Sequence, residues 1–277
     1  MMPLFGRNLV VVGSLVVTIM SGSAAAAPAD EPASVEVGRH TVTVTVPPEL
    51  EPRYRAPILP PLLQAEAGPQ RKAMFLEYLA PIVREVNQEV RPRRGALLRV
   101  EAWLESGREL DPAVTDWLDA MSRRYRVKAT DPAGRIAELK KRVDVIPVSL
   151  ALAQGALESA WGTSRFARMG NNIFGKWCFT EGCGIVPARR AVGATHEVAA
   201  YQDAAGAVRD YIHHLNSHPI YAELRTRRAA ARAAGQVPNG ADLAAGLDRY
   251  SAKGEEYVRI IRGVIRTNEL ASLDGAG

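Results

Sequence analysis

Apolar residues recur at helical spacing through most of the chain. In the first such row, Phe75, Leu79, Ile82 and Val86 follow one another at intervals of four, three and four residues. This spacing places them on one face of an α-helix that packs on a core. Rows of the same kind begin near positions 112, 132, 147, 203 and 254.

The helical period is absent between Trp177 and Tyr201. Glycine, cysteine, proline and β-branched residues take its place, and they predict a short two-stranded lobe with strands at 184–189 and 195–201 and a turn near 192–194. The whole pattern therefore predicts a fold that is mainly α with a small β-lobe.

The N-terminal region divides into two segments of different composition. Residues 1–27 contain Arg7, an apolar run and then small residues with Ala-x-Ala sites, which is the order of a secretory signal peptide. An uncleaved membrane anchor is the alternative, but the apolar run is shorter than the ~20 residues that a spanning helix needs. Residues 28–69 are rich in proline and predict an extended arm or linker. We therefore expect an exported protein, periplasmic or associated with the cell envelope, with no stable membrane span after signal cleavage.

The charge balance of the chain is modestly basic. It holds 35 Lys and Arg against 30 Asp and Glu, and removal of Arg7 with the signal would leave 34 against 30, a net charge of +4. Such a charge suits an anionic wall polymer or membrane surface. Because the basic residues are interspersed with acids, no nucleic-acid partner is expected.

Cysteine and histidine residues give little support for a metal site. Cys178 and Cys183 are the two cysteines of the chain, and an exported protein favours a disulfide between them. Two thiols alone are too few ligands for zinc. His213, His214 and His218 cluster, but only the last two share a helix face and no nearby acid completes a metal set. Neither a metal nor a cofactor is implied.

One carboxylate lies at the end of an otherwise apolar helix, in the segment 156–162, Ala-Leu-Glu-Ser-Ala-Trp-Gly. Trp161 lies three residues after Glu158 and Gln154 four before it, so both share its side of the helix. A carboxyl group against an indole and near a helix C-terminus is disfavoured as an anion, which suits a general acid for glycosidic cleavage. The alternative is that Glu158 is an ordinary surface glutamate or a partner of Arg165.

The residues that follow this helix end decide between the two interpretations. Positions 170–177 read Gly-Asn-Asn-Ile-Phe-Gly-Lys-Trp, and the two segments together resemble the glucosaminidase family of peptidoglycan hydrolases. The long helical segment before the domain and the cysteine pair look most like the Bax subgroup. By contrast, Leu-Glu-Ser-Gly around Glu105 lacks the Trp-Gly and Asn-x-Phe-Gly pieces, so Glu105 is interpreted as structural.

The resemblance covers roughly 145–270 and implies the organisation of the chain. It implies a lysozyme-like catalytic domain at 145–277, preceded by a helical extension at 70–144. It also implies peptidoglycan glycan strands as the substrate and Glu158 as proton donor. The predicted function is an endo-β-N-acetylglucosaminidase, and the alternatives are a lytic transglycosylase on the same polymer and a non-catalytic peptidoglycan-binding protein.

The other site residues are assigned by the same resemblance. Glu197 is the nearest candidate for a second carboxylate, with Glu181 as another, although Glu197 could equally be an outward strand residue. Tyr250 matches a family tyrosine near the catalytic glutamate, or it is a core tyrosine. Without a second carboxylate, either the 2-acetamido group of the substrate attacks or Glu158 acts alone as in a transglycosylase. The residues expected to contact substrate are Trp161, Asn172, Phe174, Trp177 and Tyr201.

Overall fold

The computed structural model describes residues 55–275, and both the expected signal peptide and residues 28–54 of the predicted arm lie outside them. Helices dominate and a small sheet is present, which confirms the predicted mainly α fold with a β-lobe. Between 55 and 275, no helix has the length and hydropathy needed to cross a membrane. The helices are α1 (Pro69–Glu105), α2 (Pro112–Arg124), α3 (Pro132–Arg142), α4 (Val148–Glu158), α5 (Arg165–Gly170), α6 (Ala204–Ser217), α7 (Ala222–Ala233), α8 (Gly240–Leu243) and α9 (Glu255–Thr267), with 3-10 turns at Pro219–Tyr221, Ala244–Leu247 and Leu270–Leu273.

Helix α4 lies at the centre of the hydrophobic core. Residues 148–156 are all buried, and the helix packs against α1, α8, α9 and the 3-10 turn at 270–273. A methyl group added at Gly155 would lie 2.8 Å from Leu79 Cδ2 and 3.0 Å from Ile173 Cγ2, so α4 approaches α1 closely at this point. The predicted helical extension and the predicted catalytic domain thus share one core, and the boundary at 144/145 stays a prediction.

The described part of the proline-rich segment packs on the helical body. Leu62 is buried, the backbone amide of Ala56 donates to Asp203 Oδ2 at 3.1 Å, and the hydroxyl of Tyr78 donates to the carbonyl of Pro57 at 3.0 Å. These contacts tie residues 55–62 to α1 and to the start of α6.

The β-lobe was predicted with two strands, at 184–189 and 195–201; shorter strands are present within both ranges, but the predicted number of strands was wrong. The lobe has three strands in the order β1-β3-β2, namely β1 (Trp177–Cys178), β2 (Gly184–Ile185) and β3 (Glu197–Ala199). Both outer strands pair antiparallel with β3, at Trp177↔Val198 and Ile185↔Val198. Strands of two or three residues are too short to show an alternation in the sequence, which is why β1 was missed.

The disulfide between Cys178 and Cys183 is confirmed. It closes the short loop that carries the chain from β1 back to β2. The carboxylate of Glu197 reinforces this loop, because it accepts hydrogen bonds from the backbone amides of Gly182 (3.1 Å) and Gly184 (2.7 Å).

Candidate active site

Glu158 is the last residue of α4, and a left-handed turn follows it. Ala160, Trp161 and Gly162 have φ angles of 51°, 58° and 75°. The hydroxyl oxygen of Ser159 accepts from the amide of Gly162 at 2.7 Å and so closes the turn. Because the helix stops here, the half-buried Glu158 lies where the core meets the surface.

A directional hydrogen-bond network ends on the Glu158 carboxyl group. The hydroxyl of Tyr211 donates to Gln154 Oε1 (2.7 Å), Gln154 Nε2 donates to the hydroxyl oxygen of Tyr257 (2.9 Å), and the Tyr257 hydroxyl donates to Glu158 Oε1 (2.8 Å). Tyr211, Gln154 and Tyr257 are all buried. Since Oε1 is the acceptor in this network, the proton of a protonated Glu158 belongs on Oε2.

The Oε2 atom of Glu158 lies against a glycine turn. A methyl group added at Gly175 would be 3.4 Å from Oε2, and Gly175 is exposed with a φ of 65°. A side chain there would occupy space beside the oxygen that carries the proton, and the left-handed backbone favours glycine for a second reason.

The environment of Glu158 favours its protonated form. Burial raises the pKa of the carboxyl group, and the hydrogen bond from Tyr257 lowers it by less, so that the pKa lies above its usual value. A raised pKa keeps the proton available at a pH where an ordinary glutamate has lost it. The arrangement can therefore act as a general acid.

Tyr250 lies beside the acid without a hydrogen bond to it. Its ring stacks on Tyr257 with centroids 5.4 Å apart and an interplanar angle of 11°. Its hydroxyl donates to the backbone carbonyl of Phe174 at 3.0 Å. These contacts hold the turn that carries Gly175 next to Glu158, and a catalytic role for Tyr250 stays a prediction.

Glu197 has the contacts of a residue that holds a loop. It is 5% exposed, and both of its carboxylate oxygens accept backbone hydrogen bonds from the cysteine loop. Glu181, the other candidate for a second carboxylate, is exposed in that loop. These contacts explain the position of Glu197 structurally, and its catalytic role stays a prediction.

Phe174 and Asn172 are part of the protein interior. Phe174 is 1% exposed and stacks on Tyr211 with centroids 3.9 Å apart, so no face of its ring is open to a sugar. The amide nitrogen of Asn172 donates to the carbonyls of Lys176 and Ala199, and its oxygen accepts from the amide of Lys176. Both side chains shape the turn beside Glu158 instead of facing the solvent.

Trp161 and Tyr201 are partly buried and engaged in packing or hydrogen bonding. The ring of Trp161 makes an edge contact with Phe75 at 5.8 Å. The hydroxyl of Tyr201 donates to Asp210 Oδ2 at 2.6 Å. The ring of Trp161 thus packs on α1, and its contact with substrate stays a prediction.

Trp177 is the predicted sugar-stacking residue that is open to solvent. It is 57% exposed, and one face of its indole stacks on His196 at 4.2 Å with an interplanar angle of 16°. Because one face of the Trp177 indole packs on His196, the opposite face can stack on a sugar ring.

Two cavities in the described part of the chain lie away from Glu158. The larger, about 470 Å³, lies between the segment 56–64 and Asn171, Gln202 and Asp203. The other, about 140 Å³, is lined by residues of α1 and by 145–148. Glu158 lines neither of these cavities.

The described residues contain one cluster of metal-ligand type, Cys178, Cys183 and Glu197. Its sulfur atoms are joined in the disulfide, and its carboxylate holds backbone amides. These donors are therefore already engaged in the loop.

Comparison with known proteins gives the class to which this fold and acid belong. The sequence model of the family described as Glucosaminidase, mannosyl-glycoprotein endo-beta-N-acetylglucosaminidase, matches residues 133–270. Together with the relative described next, this match shows that the chain belongs to the glucosaminidase family, a family of glycosidases, as a Bax-like member. That relative is Protein bax of Escherichia coli (strain K12), which is 31% identical over 216 residues, or 76% of this chain and 74% of Protein bax. No solved structure matches the chain significantly.

Proposed function

We propose that the protein is an endo-β-N-acetylglucosaminidase that hydrolyses the glycan backbone of peptidoglycan in the cell envelope. The observation that carries the proposal is the half-buried carboxyl group of Glu158, whose pKa is raised by burial and whose Oε1 is held by Tyr257. Membership of a glycosidase family supports the reaction type, and the disulfide suits an exported protein.

In the proposed mechanism Glu158 protonates the leaving group. The proton moves from Oε2 to the glycosidic oxygen as the bond from the anomeric carbon to that oxygen breaks. Glu158 becomes a carboxylate, and the hydrogen bond from Tyr257 to Oε1 strengthens because its acceptor is now charged. The buried network thus holds the carboxyl group in one orientation through both protonation states.

The proposal uses no second protein carboxylate, because the oxygens of Glu197 are already occupied by backbone amides. The carbonyl oxygen of the 2-acetamido group of the substrate attacks the anomeric carbon and forms an oxazolinium ion. Water then opens this ring and gives its proton to the Glu158 carboxylate. The acid is thereby restored and the product has a reducing end.

A lytic transglycosylase is the second candidate, and the same observation on Glu197 favours it. In that reaction the 6-hydroxyl group of a muramic acid residue attacks its own anomeric carbon, and Glu158 exchanges the proton. The product is a 1,6-anhydro sugar, which has no reducing end.

The test is digestion of purified peptidoglycan with the wild-type chain, Glu158→Gln and Glu105→Gln. Glu105 is the matched control, since it also stands in a Leu-Glu-Ser sequence at the end of a helix but is exposed. New sugar ends are identified by mass spectrometry before and after borohydride reduction.

We expect reducible N-acetylglucosamine ends from the wild type and Glu105→Gln, and a loss of several orders of magnitude in Glu158→Gln. Anhydro ends would replace the hydrolase by the transglycosylase. Binding without new ends from any of the three proteins would instead indicate a peptidoglycan-binding protein.

A further inference from the structure

A row of aromatic rings leads away from the hydroxyl group that binds the Glu158 carboxyl group. Tyr257 stacks on Tyr250 (5.4 Å between centroids), Tyr250 lies 6.1 Å from Tyr221, and Tyr221 lies 5.3 Å from His214 and 6.0 Å from His218. The two histidine rings are 5.0 Å apart. Tyr250 and both histidines are partly exposed, so the row connects the acid to a second patch of surface.

Positive charge exceeds negative charge around this second patch. The cations that act on His214 or His218 are Lys176, Arg126 and the buried Arg225, and among the described residues Asp210 is the carboxylate that acts on His214. The Nζ atom of Lys176 is 3.8 Å from Asp210 Oδ2. The same Oδ2 also accepts from the hydroxyl of Tyr201, so its charge is shared between two donors. A patch of this balance attracts anions.

The histidines of the patch are neutral hydrogen-bond donors at neutral pH. Burial, followed by the charge of Lys176, lowers the pKa of His214 to about 4, and burial also lowers the pKa of His218. The Nδ1 atom of His218 accepts from the amide of Ile220 at 3.3 Å, so the proton of the neutral ring is on Nε2. A carboxylate beside these rings would find N–H donors together with the ammonium group of Lys176, whose counterion Asp210 also accepts from the hydroxyl of Tyr201.

The proposed substrate carries carboxylates at regular positions. One sugar in two is muramic acid, whose lactyl carboxylate is either free or amide-linked to a stem peptide that has carboxylates of its own. A polymer of N-acetylglucosamine alone, such as chitin, carries none. A cationic patch joined to the acid by a row of aromatic rings can therefore distinguish the two polymers.

We propose that Lys176, His214 and His218 form a subsite that binds a carboxylate of the muramyl sugar or of its stem peptide, and that this subsite selects acidic glycan over neutral glycan. The inference rests on the proposed function, since it names the feature by which the same site recognises its substrate. Lys176 supplies the positive charge, and the imidazole rings of His214 and His218 supply N–H donors and a surface on which the ligand packs.

Binding of defined oligosaccharides by the full chain carrying Glu158→Gln tests the subsite without turnover. Three tetrasaccharides are compared by calorimetry: one with stem peptides, one with free lactyl carboxylates, and the neutral chitotetraose. We expect at least one acidic oligosaccharide to bind about tenfold more tightly than chitotetraose, a difference of ~1.4 kcal/mol. Preference for the peptide-bearing or for the free-acid form assigns the source of the carboxylate.

Two variants test whether the preference for acidic oligosaccharides arises at Lys176 and His218. Lys176→Met removes the charge, and His218→Phe keeps a ring against Tyr221 but removes the donor; each should lower the acidic-to-neutral affinity ratio by several-fold. Lys141→Met, which removes an exposed cation on α3, is the charge-matched control and should leave the ratio unchanged. Equal affinities for all three oligosaccharides, or an unchanged ratio in Lys176→Met, would overturn the proposal.

A spectroscopic measurement separates binding from a structural effect of the variants. In NMR titrations of Glu158→Gln, the acidic tetrasaccharides should raise the pKa values of His214 and His218, because a nearby anion stabilises imidazolium. Chitotetraose should leave them unchanged, and a rise with chitotetraose would contradict the proposal. The proposed function is tested separately, by the sugar ends that the wild type produces. The proposed function and the proposed subsite can therefore fail independently.

Discussion

Replacing Tyr257 with Phe removes one oxygen atom from the middle of the network that ends on Glu158. That oxygen accepts from Gln154 Nε2 at 2.9 Å and donates to Glu158 Oε1 at 2.8 Å. The fully buried Gln154 then keeps the bond from Tyr211 but has an amide proton with no acceptor, which costs about 1–3 kcal/mol. The lost bond to Glu158 adds about 1.5–3 kcal/mol when the carboxyl group is ionised and less when it is protonated.

The same substitution should change the pH dependence in a defined direction. The Tyr257 hydrogen bond lowers the pKa of Glu158, so its removal raises that pKa further above the usual 4.5. A raised pKa in the folded state means that stability is lost as pH rises through it, so Tyr257→Phe should be more destabilising at pH 7 than at pH 4. In activity, Glu158 should stay protonated to higher pH, which moves the alkaline limb of kcat/KM upward while kcat falls through poorer positioning.

The assay combines urea unfolding at the two pH values with the pH profile of peptidoglycan cleavage. Tyr211→Phe is the matched control, because it also removes a buried tyrosine hydroxyl from Gln154 but does not touch Glu158. It should destabilise the protein equally at both pH values and leave the alkaline limb in place. A limb that moves to lower pH in Tyr257→Phe, or that moves equally in both variants, would refute the reasoning.

Three further predictions concern the acid and the core beneath it. Glu158→Gln should unfold at a higher temperature than the wild type at pH 7 and at the same temperature near pH 4, because burial raises the Glu158 pKa and only the ionised form is penalised. Gly175→Ala should lower kcat/KM with a smaller change in melting temperature, since its methyl group would stand 3.4 Å from Glu158 Oε2; unchanged kinetics would contradict the placement of the proton on Oε2. Asp144→Asn should cost about 3–5 kcal/mol in urea unfolding, because it leaves the charge of the buried Arg228 without its counterion, 3.9 Å away.

The helical part of the fold was predictable where a helix buries one face at a regular spacing. The row that begins with Phe75 became α1, and the row that begins near 254 became α9. The β-lobe and the places of β2 and β3 were predicted, but β1 was missed, since it has two residues and is defined by its pairing with β3, which lies about 20 residues further along the chain. Short strands that are fixed by distant partners leave no period in the sequence.

The candidate site was predictable only as far as its local segment. Glu158 could be located from the apolar helix before it and from the glycine turn after it. Tyr257 lies 99 residues away in the chain, and within its helix it has the spacing of an ordinary core residue. Phe174 and Asn172 were predicted to contact the substrate because their motif is beside the acid, and the sequence did not show that both side chains are buried. Burial and long-range partners are properties of the folded chain.

The left-handed turn after Glu158 also bears on how such a protein evolves. Ala160 and Trp161 hold a backbone conformation that costs a residue with a side chain about 1–2 kcal/mol. Folded proteins have only ~5–15 kcal/mol to spare, so selection for stability alone would remove this turn. The turn would be kept by selection only if substitutions that remove its left-handed backbone conformation also displaced the carboxyl group of Glu158. A lineage that no longer needed the acid would then be free to lose the turn and to gain stability, as the stability–activity trade-off predicts.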